Sequence, residues 1–325
     1  MSNETPAPPP VLPYPEPIEP VYRISLGRPR FQHRLRVHVT LAVLTLASTT
    51  LAGAYHYYFF TGEFGTRPVA VDWSLLLKGL WYSLTLLSIL GAHEMGHYLF
   101  CRRYNVDATL PYFIPAPLPL TGTFGAVIKI REAFPTRTIL FDIGVAGPIA
   151  GFVLVVPAMF WGLSLSTIVR GPTEGQGLAL GVPLLFQWGA SVMIGSVEPG
   201  YSINMHPMLF AAWFGMLATA LNLLPFGQLD GGHITYATLG RWSTPISLLT
   251  VAAAVAMTFV SSSWMFMTAL MLLMMLLFGP RHPRVIYEFE PLGRGRRLLA
   301  AVAFLILAVC FTPVPIEPFD LISQP

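Results

Sequence analysis

The stretch that decides the fold is Leu86–Tyr104, LLSILGAHEMGHYLFCRRY, an apolar run that contains an H-E-x-x-H pattern at positions 93 to 97. On an α-helix, residues four apart share a face, so His93 and His97 can bind one metal ion together. Glu94 then lies beside the first ligand, where its carboxylate can act as a general base toward a water. In a soluble chain such histidines often only cap or pack. An ionisable residue at mid-bilayer costs about 2.5–3.5 kcal/mol, which favours a functional metal site here.

The composition is that of a polytopic membrane protein. Of 325 residues, 54% are hydrophobic and only 11% are charged, whereas soluble domains have roughly 25% charged residues. The net charge of +3 identifies no partner, and no nucleic-acid partner is expected. Cys101 and Cys310 lie in apolar segments and predict no disulfide. Cys101 is roughly 12 Å along the helix axis from His93, too far to share a tetrahedral ion comfortably.

The hydrophobic pattern predicts an all-α polytopic membrane protein with about seven transmembrane helices. Residues 1–30 are rich in proline and predict a disordered tail without a signal peptide. Residues 31–316 form the predicted membrane domain, with a core at 74–240, and 317–325 form a short second tail. The predicted spans are 37–60, 74–103, 139–165, 205–224, 243–262, 264–280 and 298–314.

Basic residues predict the orientation of these spans. With seven crossings, sixteen of the nineteen Lys and Arg residues lie on the side of the N-terminus, and only Arg67, Lys78 and Arg170 lie on the other side. The positive-inside rule places the basic side in the cytoplasm or its equivalent. The uncharged segment 177–195 is therefore not expected to cross, because an extra crossing would carry six basic residues outward.

The region 104–138 is too polar and too rich in proline to form a helix. Within it, 121–130 alternates as a short strand with a glycine turn ahead of it. In the next span, Gly144, Gly147 and Gly151 are interpreted as small residues for helix packing.

A catalytic zinc usually has three protein ligands, so a third must come from elsewhere in the chain. In the seven-span topology, Asp230 lies at a membrane depth similar to that of His97. Gly231 and Gly232 would let the backbone bend and turn the carboxylate inward. The alternative is that Asp230 only caps a helix in a D-G-G turn.

These residues together resemble the site-2 protease family of intramembrane zinc metalloproteases. The family pattern joins H-E-x-x-H on one helix to N-x-x-P-x-x-x-L-D-G on another, and residues 222–231 read NLLPFGQLDG. The segments 122–126 (GTFGA) and 146–148 (AGP) are similar to the plastid and cyanobacterial branch. The resemblance covers about 74–240 well and the rest more loosely.

The resemblance implies that His93, His97 and Asp230 bind one Zn²⁺ per chain and that Glu94 activates the attacking water. Asn222 would hold substrate backbone or the developing oxyanion, or would instead make a structural hydrogen bond. The strand-like segment Thr123–Ile128 resembles the family's short membrane-associated β-hairpin. It would pair with an unwound substrate strand through Thr123, Phe124, Gly125 and Ala126. His233 is either a neighbour of Asp230 or, more simply, an exposed polar residue.

The sequence therefore predicts an intramembrane zinc endopeptidase that cleaves single-span membrane proteins within or near their transmembrane segment. The expected location is a bacterial inner membrane, with the N-terminus cytoplasmic and the C-terminus outside; the oligomeric state is open. A zinc transporter is the first alternative, but the other spans offer few ionisable groups: His38 and His56 lie at the edges of the first, and Asp142 starts the third. A catalytically inactive scaffold is the second.

Overall fold

The amino-terminal half of the chain contains three long apolar stretches of helix. The computed structural model describes residues 30–64, 66–171, 178–279, 281–288 and 291–318. Among these described residues, three stretches are long and apolar enough to cross a membrane. They coincide with the first three predicted spans. They are α1 (Leu35–Thr61), the consecutive pair α2 (Trp73–Lys78) and α3 (Leu80–Arg103), and α4 (Arg137–Leu165).

The remaining helices are shorter. Four of them coincide with the other predicted spans but have only 15 to 17 residues, or about 23–26 Å at 1.5 Å per residue. Length alone therefore supports three spans, and the total of seven stays a prediction.

Helix α5 has ten residues and is about 15 Å long, too short for 177–195 to cross. The shorter helices are α5 (Leu184–Met193), α6 (Pro207–Asn222), α7 (Asp230–Leu239), α8 (Ser243–Met257), α9 (Ser263–Phe278) and α10 (Arg294–Cys310).

The predicted hairpin is present, and two further small sheets accompany it. Strands β1 (Tyr112–Pro115) and β2 (Thr123–Val127) pair antiparallel. The all-α prediction omitted two other antiparallel pairs, because strands of three or four residues have too few positions to show a period. In chain order these strands are β3 (Thr167–Arg170), β4 (Leu178–Leu180), β5 (Tyr201–Asn204) and β6 (Ile316–Pro318), with β3 paired to β5 and β4 to β6.

The predicted tails lie almost entirely outside the described residues. Residues 1–29 and 319–325 are not described. The carboxy-terminal tail predicted at 317–325 begins inside β6, where Glu317 pairs with Ala179. The predicted boundary at 316 therefore divides a strand that pairs with β4.

Helix α4 lies at the centre of the core. Residues 140–148 are buried without interruption, as expected for a helix that is apolar all round. Helices α3, α6, α7 and α10 all pack against it. The fully buried side chains here include Leu140 and Phe141 of α4 and Trp213 of α6. The three predicted metal ligands lie at the edge of this core, on α3 and at the start of α7.

Candidate metal centre

The three predicted ligands converge on one point. Helix α3 buries His93, Glu94 and His97, which are 6%, 8% and 6% exposed. Asp230 is the first residue of α7. The Nε2 atoms of the two histidines are 3.2 Å apart. One carboxylate oxygen of Asp230 lies 3.1 Å from Nε2 of His93, and the other lies 3.3 Å from Nε2 of His97.

These separations fit a tetrahedral zinc ion. With zinc–nitrogen and zinc–oxygen bonds of 2.0–2.2 Å, neighbouring ligand atoms of a tetrahedron are about 3.3–3.5 Å apart. The observed distances of 3.1 to 3.3 Å lie close to that range. Two imidazole nitrogens and a carboxylate oxygen are also the donor types that zinc accepts, and three protein ligands leave one position open, as catalytic sites do. The three residues therefore fit Zn²⁺ by distance and by chemistry.

A carbonyl of α4 orients the second histidine. The Nδ1 of His97 lies 2.7 Å from the backbone oxygen of Ile143. The carbonyl can only accept, so Nδ1 carries the proton, and Nε2 has its lone pair available for a metal. The contact also fixes the ring plane. No pattern in the sequence pointed to Ile143, because the interaction depends on how α3 and α4 pack.

The glycines of α4 border the site directly. A side chain on Gly147 would overlap with the ring of His97, and one on Gly144 would lie 2.9 Å from Cβ of His233. On Gly151 it would lie 3.3 Å from Cβ of His93. Interpreting these residues only as helix-packing positions was therefore incomplete, because they also make the space that the histidine rings occupy.

The two glycines of the D-G-G turn have a different role from the predicted one. Gly231 and Gly232 are buried in the first turn of α7. A side chain on Gly231 would overlap with the carbonyl of Leu223, and one on Gly232 would overlap with the carbonyl of Gly227. Instead of bending the backbone, the two glycines let α7 start directly against the turn that follows α6. This close packing brings Asp230 to the histidines.

Glu94 and Asn222 lie beside the ligands. The Glu94 carboxylate is 4.0 Å from Nε2 of His93. Asn222 ends α6, and its Nδ2 is 3.5 Å from Nε2 of His93. Such a long contact holds the amide weakly. It leaves both predicted roles of Asn222 open.

The four predicted substrate-binding residues form most of β2. Thr123 is buried, and its Oγ1 donates to the carbonyl of Ile114 at 2.7 Å and accepts from N–H of Gly125 at 2.9 Å. Its side chain thus serves the hairpin, at the point where the pairing register shifts. Phe124 is 65% exposed. Gly125 has φ +103°, with open space where a Cβ would be, and Ala126 pairs with Phe113.

His38, His56 and Asp142, which the sequence places in the predicted spans, have structural partners. The imidazoles of His38 and His56 on α1 hydrogen-bond the carbonyls of Pro111 at 3.0 Å and Leu120 at 2.8 Å. They hold the two ends of the segment that contains β1. Asp142 binds Arg296 through two hydrogen bonds of 2.7 and 2.8 Å. Cys101 is fully buried and free.

His233 is not the exposed residue that was expected. It is half-buried, with Nδ1 2.6 Å from Nε2 of His282. The His282 ring stacks on Tyr236 with centroids 4.4 Å apart. Burial lowers the pKa of His282, which keeps this ring neutral near pH 7. Sequence reasoning missed this pair because the two histidines are 49 residues apart and belong to no motif.

Comparison of the sequence with known proteins gives a family match and several relatives. Residues 81–267, more than half of the chain, match the model of Peptidase family M50. "Probable zinc metalloprotease EGY2, chloroplastic" of Oryza sativa subsp. indica is 30% identical over 261 residues, covering 76% of this chain and 45% of that relative. "Probable zinc metalloprotease EGY1, chloroplastic" of Arabidopsis thaliana is 36% identical over 164 residues, covering 48% of this chain and 29% of that relative.

The chain spans less than half the length of these relatives. No solved structure matches it significantly. The residues matched by the family model contain all three converging ligands together with Glu94 and Asn222. The chain therefore belongs to Peptidase family M50, the site-2 protease family of intramembrane zinc metalloproteases, and it is similar to the plastid members.

Proposed function

We propose that this protein is an intramembrane zinc endopeptidase. It would hydrolyse peptide bonds within or near the transmembrane segment of single-span membrane proteins, as in regulated intramembrane proteolysis. The observation that carries this proposal is the convergence of His93, His97 and Asp230 at 3.1 to 3.3 Å. The Glu94 carboxylate lies 4.0 Å from Nε2 of His93, beside the ligands, where a general base is expected.

The residues of the site have distinct roles in the proposed reaction. Zn²⁺ held by the two histidines and Asp230 would activate a water and polarise the scissile carbonyl. Glu94 takes a proton from the attacking water and returns it to the leaving nitrogen as the C–N bond breaks. One water is consumed, and a carboxylic acid and an amine are released. The Asn222 amide, only weakly engaged with His93, donates to the carbonyl oxygen as negative charge develops.

Strand β2 is the proposed substrate-binding edge. Within the described residues it pairs only with β1, so its other edge is free to accept a further strand. A transmembrane substrate must first unwind, because its peptide bonds are shielded and hydrogen-bonded within its helix. Phe124 and Gly125 offer an exposed ring and open space at this edge.

We also propose the seven-span topology, with the N-terminus cytoplasmic and the C-terminus outside, in a bacterial-type inner membrane. The charge distribution supports it, and so does one contact. Tyr104 and Arg296 both donate hydrogen bonds to the Asp142 carboxylate. The end of α3, the start of α4 and the start of α10 must therefore lie on the same side of the membrane. An even number of crossings must then separate Asp142 from Arg296, as the seven-span topology has it.

Replacing the proposed base tests the activity. We expect Glu94→Gln to lower the rate of cleavage of a single-span substrate in liposomes by about 10²- to 10⁴-fold, the usual contribution of a general base. Zinc content should stay unchanged, because all three ligands remain. The control is Glu63→Gln, which changes a carboxylate in an ion pair at the end of α1 and should cleave normally. Undiminished cleavage by Glu94→Gln would refute the proposal.

No observation favours the zinc transporter or the inactive scaffold. A transporter needs further free ligands along the bilayer, but His38, His56 and Asp142 are held by structural partners. An inactive scaffold would be expected to lack a ligand or the base, and all are present. Zinc flux into proteoliposomes that contain the wild-type protein would identify a transporter directly.

A further inference from the structure

A second cavity lies outside the metal centre. Its volume is about 480 Å³, and it is lined by the start of α4, the end of α7, the start of α8 and residues 281–288. Four of its ten lining residues are arginines, and the carboxylate among them is that of Glu288. The arginines are Arg137, Arg241, Arg281 and Arg284. The cavity is therefore strongly cationic.

The charges within the cavity do not neutralise one another. Glu288 accepts a hydrogen bond from the Tyr236 hydroxyl at 3.0 Å and lies 3.9 Å from Nε of Arg284. The guanidinium of Arg137 lies over the Tyr236 ring. Its Nε is buried and has no hydrogen-bond partner among the described residues. Among the described residues that line the cavity, four guanidinium groups accompany a single carboxylate, a balance that favours binding of an anion.

The start of α8 contributes to the same wall. Ser243 and Thr244, the first two residues of this 15-residue helix, line the cavity, and the helix has no side-chain cap. The N–H of Ser243 already donates to the carbonyl of Gly240, because a 3-10 turn (Gly240–Trp242) leads directly into α8. The arginine forks are therefore the donors that this wall offers to a phosphate group, which has several acceptor oxygens.

The aromatic residues around the cavity indicate its membrane depth. Trp242, beside the lining residue Ser243, is 59% exposed, and Tyr287, beside Glu288, is 67% exposed. Exposed Trp and Tyr residues are enriched at the level of lipid headgroups. The surrounding 281–297 segment lies on the basic side of the protein. Basic pockets between helices on that side bind anionic headgroups.

We propose that this cavity binds a phosphate group, and that its source is the headgroup of an anionic phospholipid. Arg137, Arg281 and Arg284 hold the phosphate. The proposal does not depend on peptidase activity. Tyr236 and His282 of the cavity wall connect it to α7, the helix that carries Asp230.

The test uses the full-length protein in detergent, with three probes: phosphatidylglycerol, phosphatidylcholine with the same acyl chains, and inorganic phosphate. Native mass spectrometry counts bound lipid, and the midpoint of thermal unfolding reports stabilisation. We expect saturable binding of phosphatidylglycerol and a raised midpoint, with little effect of phosphatidylcholine. Arg281→Gln with Arg284→Gln should weaken phosphatidylglycerol binding about tenfold or more, the effect of losing charge-assisted hydrogen bonds.

The matched control removes two arginines outside the cavity. Arg294 and Arg297 are exposed at the start of α10, and replacing both by Gln should leave binding unchanged. Arg241→Gln is a second cavity variant if the first pair unfolds. Equal losses in the control and cavity variants, or no saturable binding, would overturn the proposal. If inorganic phosphate alone competes fully and stabilises equally, the phosphate site stands and the lipid source is refuted.

Discussion

Gly147 shows how a single residue without a side chain shapes the metal centre. Helix α4 crosses α3 where His97 projects, and the Gly147 backbone lies directly against the imidazole ring. Four residues earlier, the Ile143 carbonyl accepts from the same ring. Helix α4 therefore positions His97 twice, by leaving space for the ring and by orienting it. We expect zinc binding at this site to depend on both contacts.

Gly147→Ala should displace His97 and release zinc. The added methyl group would overlap with the ring, and relieving that overlap costs about 1–3 kcal/mol. We expect zinc per folded chain, measured by elemental analysis, to fall well below one. The matched control is Gly162→Ala in the same helix, where a Cβ would lie 2.6 Å from the Leu209 backbone. That variant should lose stability but keep zinc, and equal zinc loss in both would contradict the role of Gly147.

The residues of the site could be predicted in part. His93, Glu94 and His97 follow from a spacing of four on one helix, and Asp230 follows from membrane depth deduced from charge. Contacts between helices could not be predicted, since Ile143, Gly147 and His282 have no local pattern that distinguishes them. They act through the packing of α3, α4 and the 281–288 segment, which depends on the complete fold.

At the scale of elements, the β1–β2 hairpin is a rigid part of the site. Helix α1 holds it from outside through His38 and His56. The ring of Phe113 in β1 would lie 3.4 Å from a Cβ at Gly91 on α3, two residues before His93. Thr123 ties β2 to β1 at the register shift. The hairpin therefore covers the helix that carries the metal ligands.

Thr123→Val should loosen the hairpin without affecting zinc. It removes the hydrogen bonds to Ile114 and Gly125, at a cost of about 0.5–1.5 kcal/mol each. We expect a several-fold lower kcat/KM for a membrane substrate and full zinc occupancy. Thr85→Val is the control, because it removes an exposed hydrogen bond to Trp81 within α3. An unchanged kcat/KM for Thr123→Val would show that hairpin order does not limit cleavage.

Element prediction succeeded where the pattern was long. Helices α1, α3 and α4 have enough apolar residues for their type and approximate bounds to be read from the sequence. The strands β3, β4, β5 and β6 were missed because each has only three or four residues. Their partners are distant in sequence; Ala179, for example, pairs with Glu317. Such pairing follows from tertiary structure and not from local propensity.

At the scale of the whole molecule, an ion pair joins the last helix, α10, to α4 in the middle of the chain. Arg296 at the start of α10 binds Asp142 near the start of α4, and Tyr104, just after α3, donates to the same carboxylate at 2.5 Å. Asp142 has a side chain only 10% exposed, while that of Arg296 is 37% exposed. The cluster thus ties the last helix to the two helices that form the site.

Asp142→Ala should destabilise the fold by about 2 kcal/mol, because it leaves Arg296 and Tyr104 without their acceptor. Thermal unfolding in detergent measures the change. Asp142→Ala combined with Arg296→Ala should recover part of the loss, since no charge then stays unpaired. The control, Arg67→Ala, breaks an ion pair in which Arg67 is 68% exposed and should change stability by less than about 1 kcal/mol. Equal effects of Asp142→Ala and Arg67→Ala would refute this role.

The meeting of α3 and α7 at one ion is tested most directly by zinc content and X-ray absorption spectroscopy of the purified protein. We expect wild type to contain one zinc per chain, with two imidazole nitrogens and oxygen ligands at 2.0–2.2 Å. Asp230→Ala should lose most of its zinc, whereas Asp72→Ala, at the exposed cap of α2, should retain it. Full zinc occupancy with an unchanged spectrum in Asp230→Ala would contradict Asp230 as the third ligand.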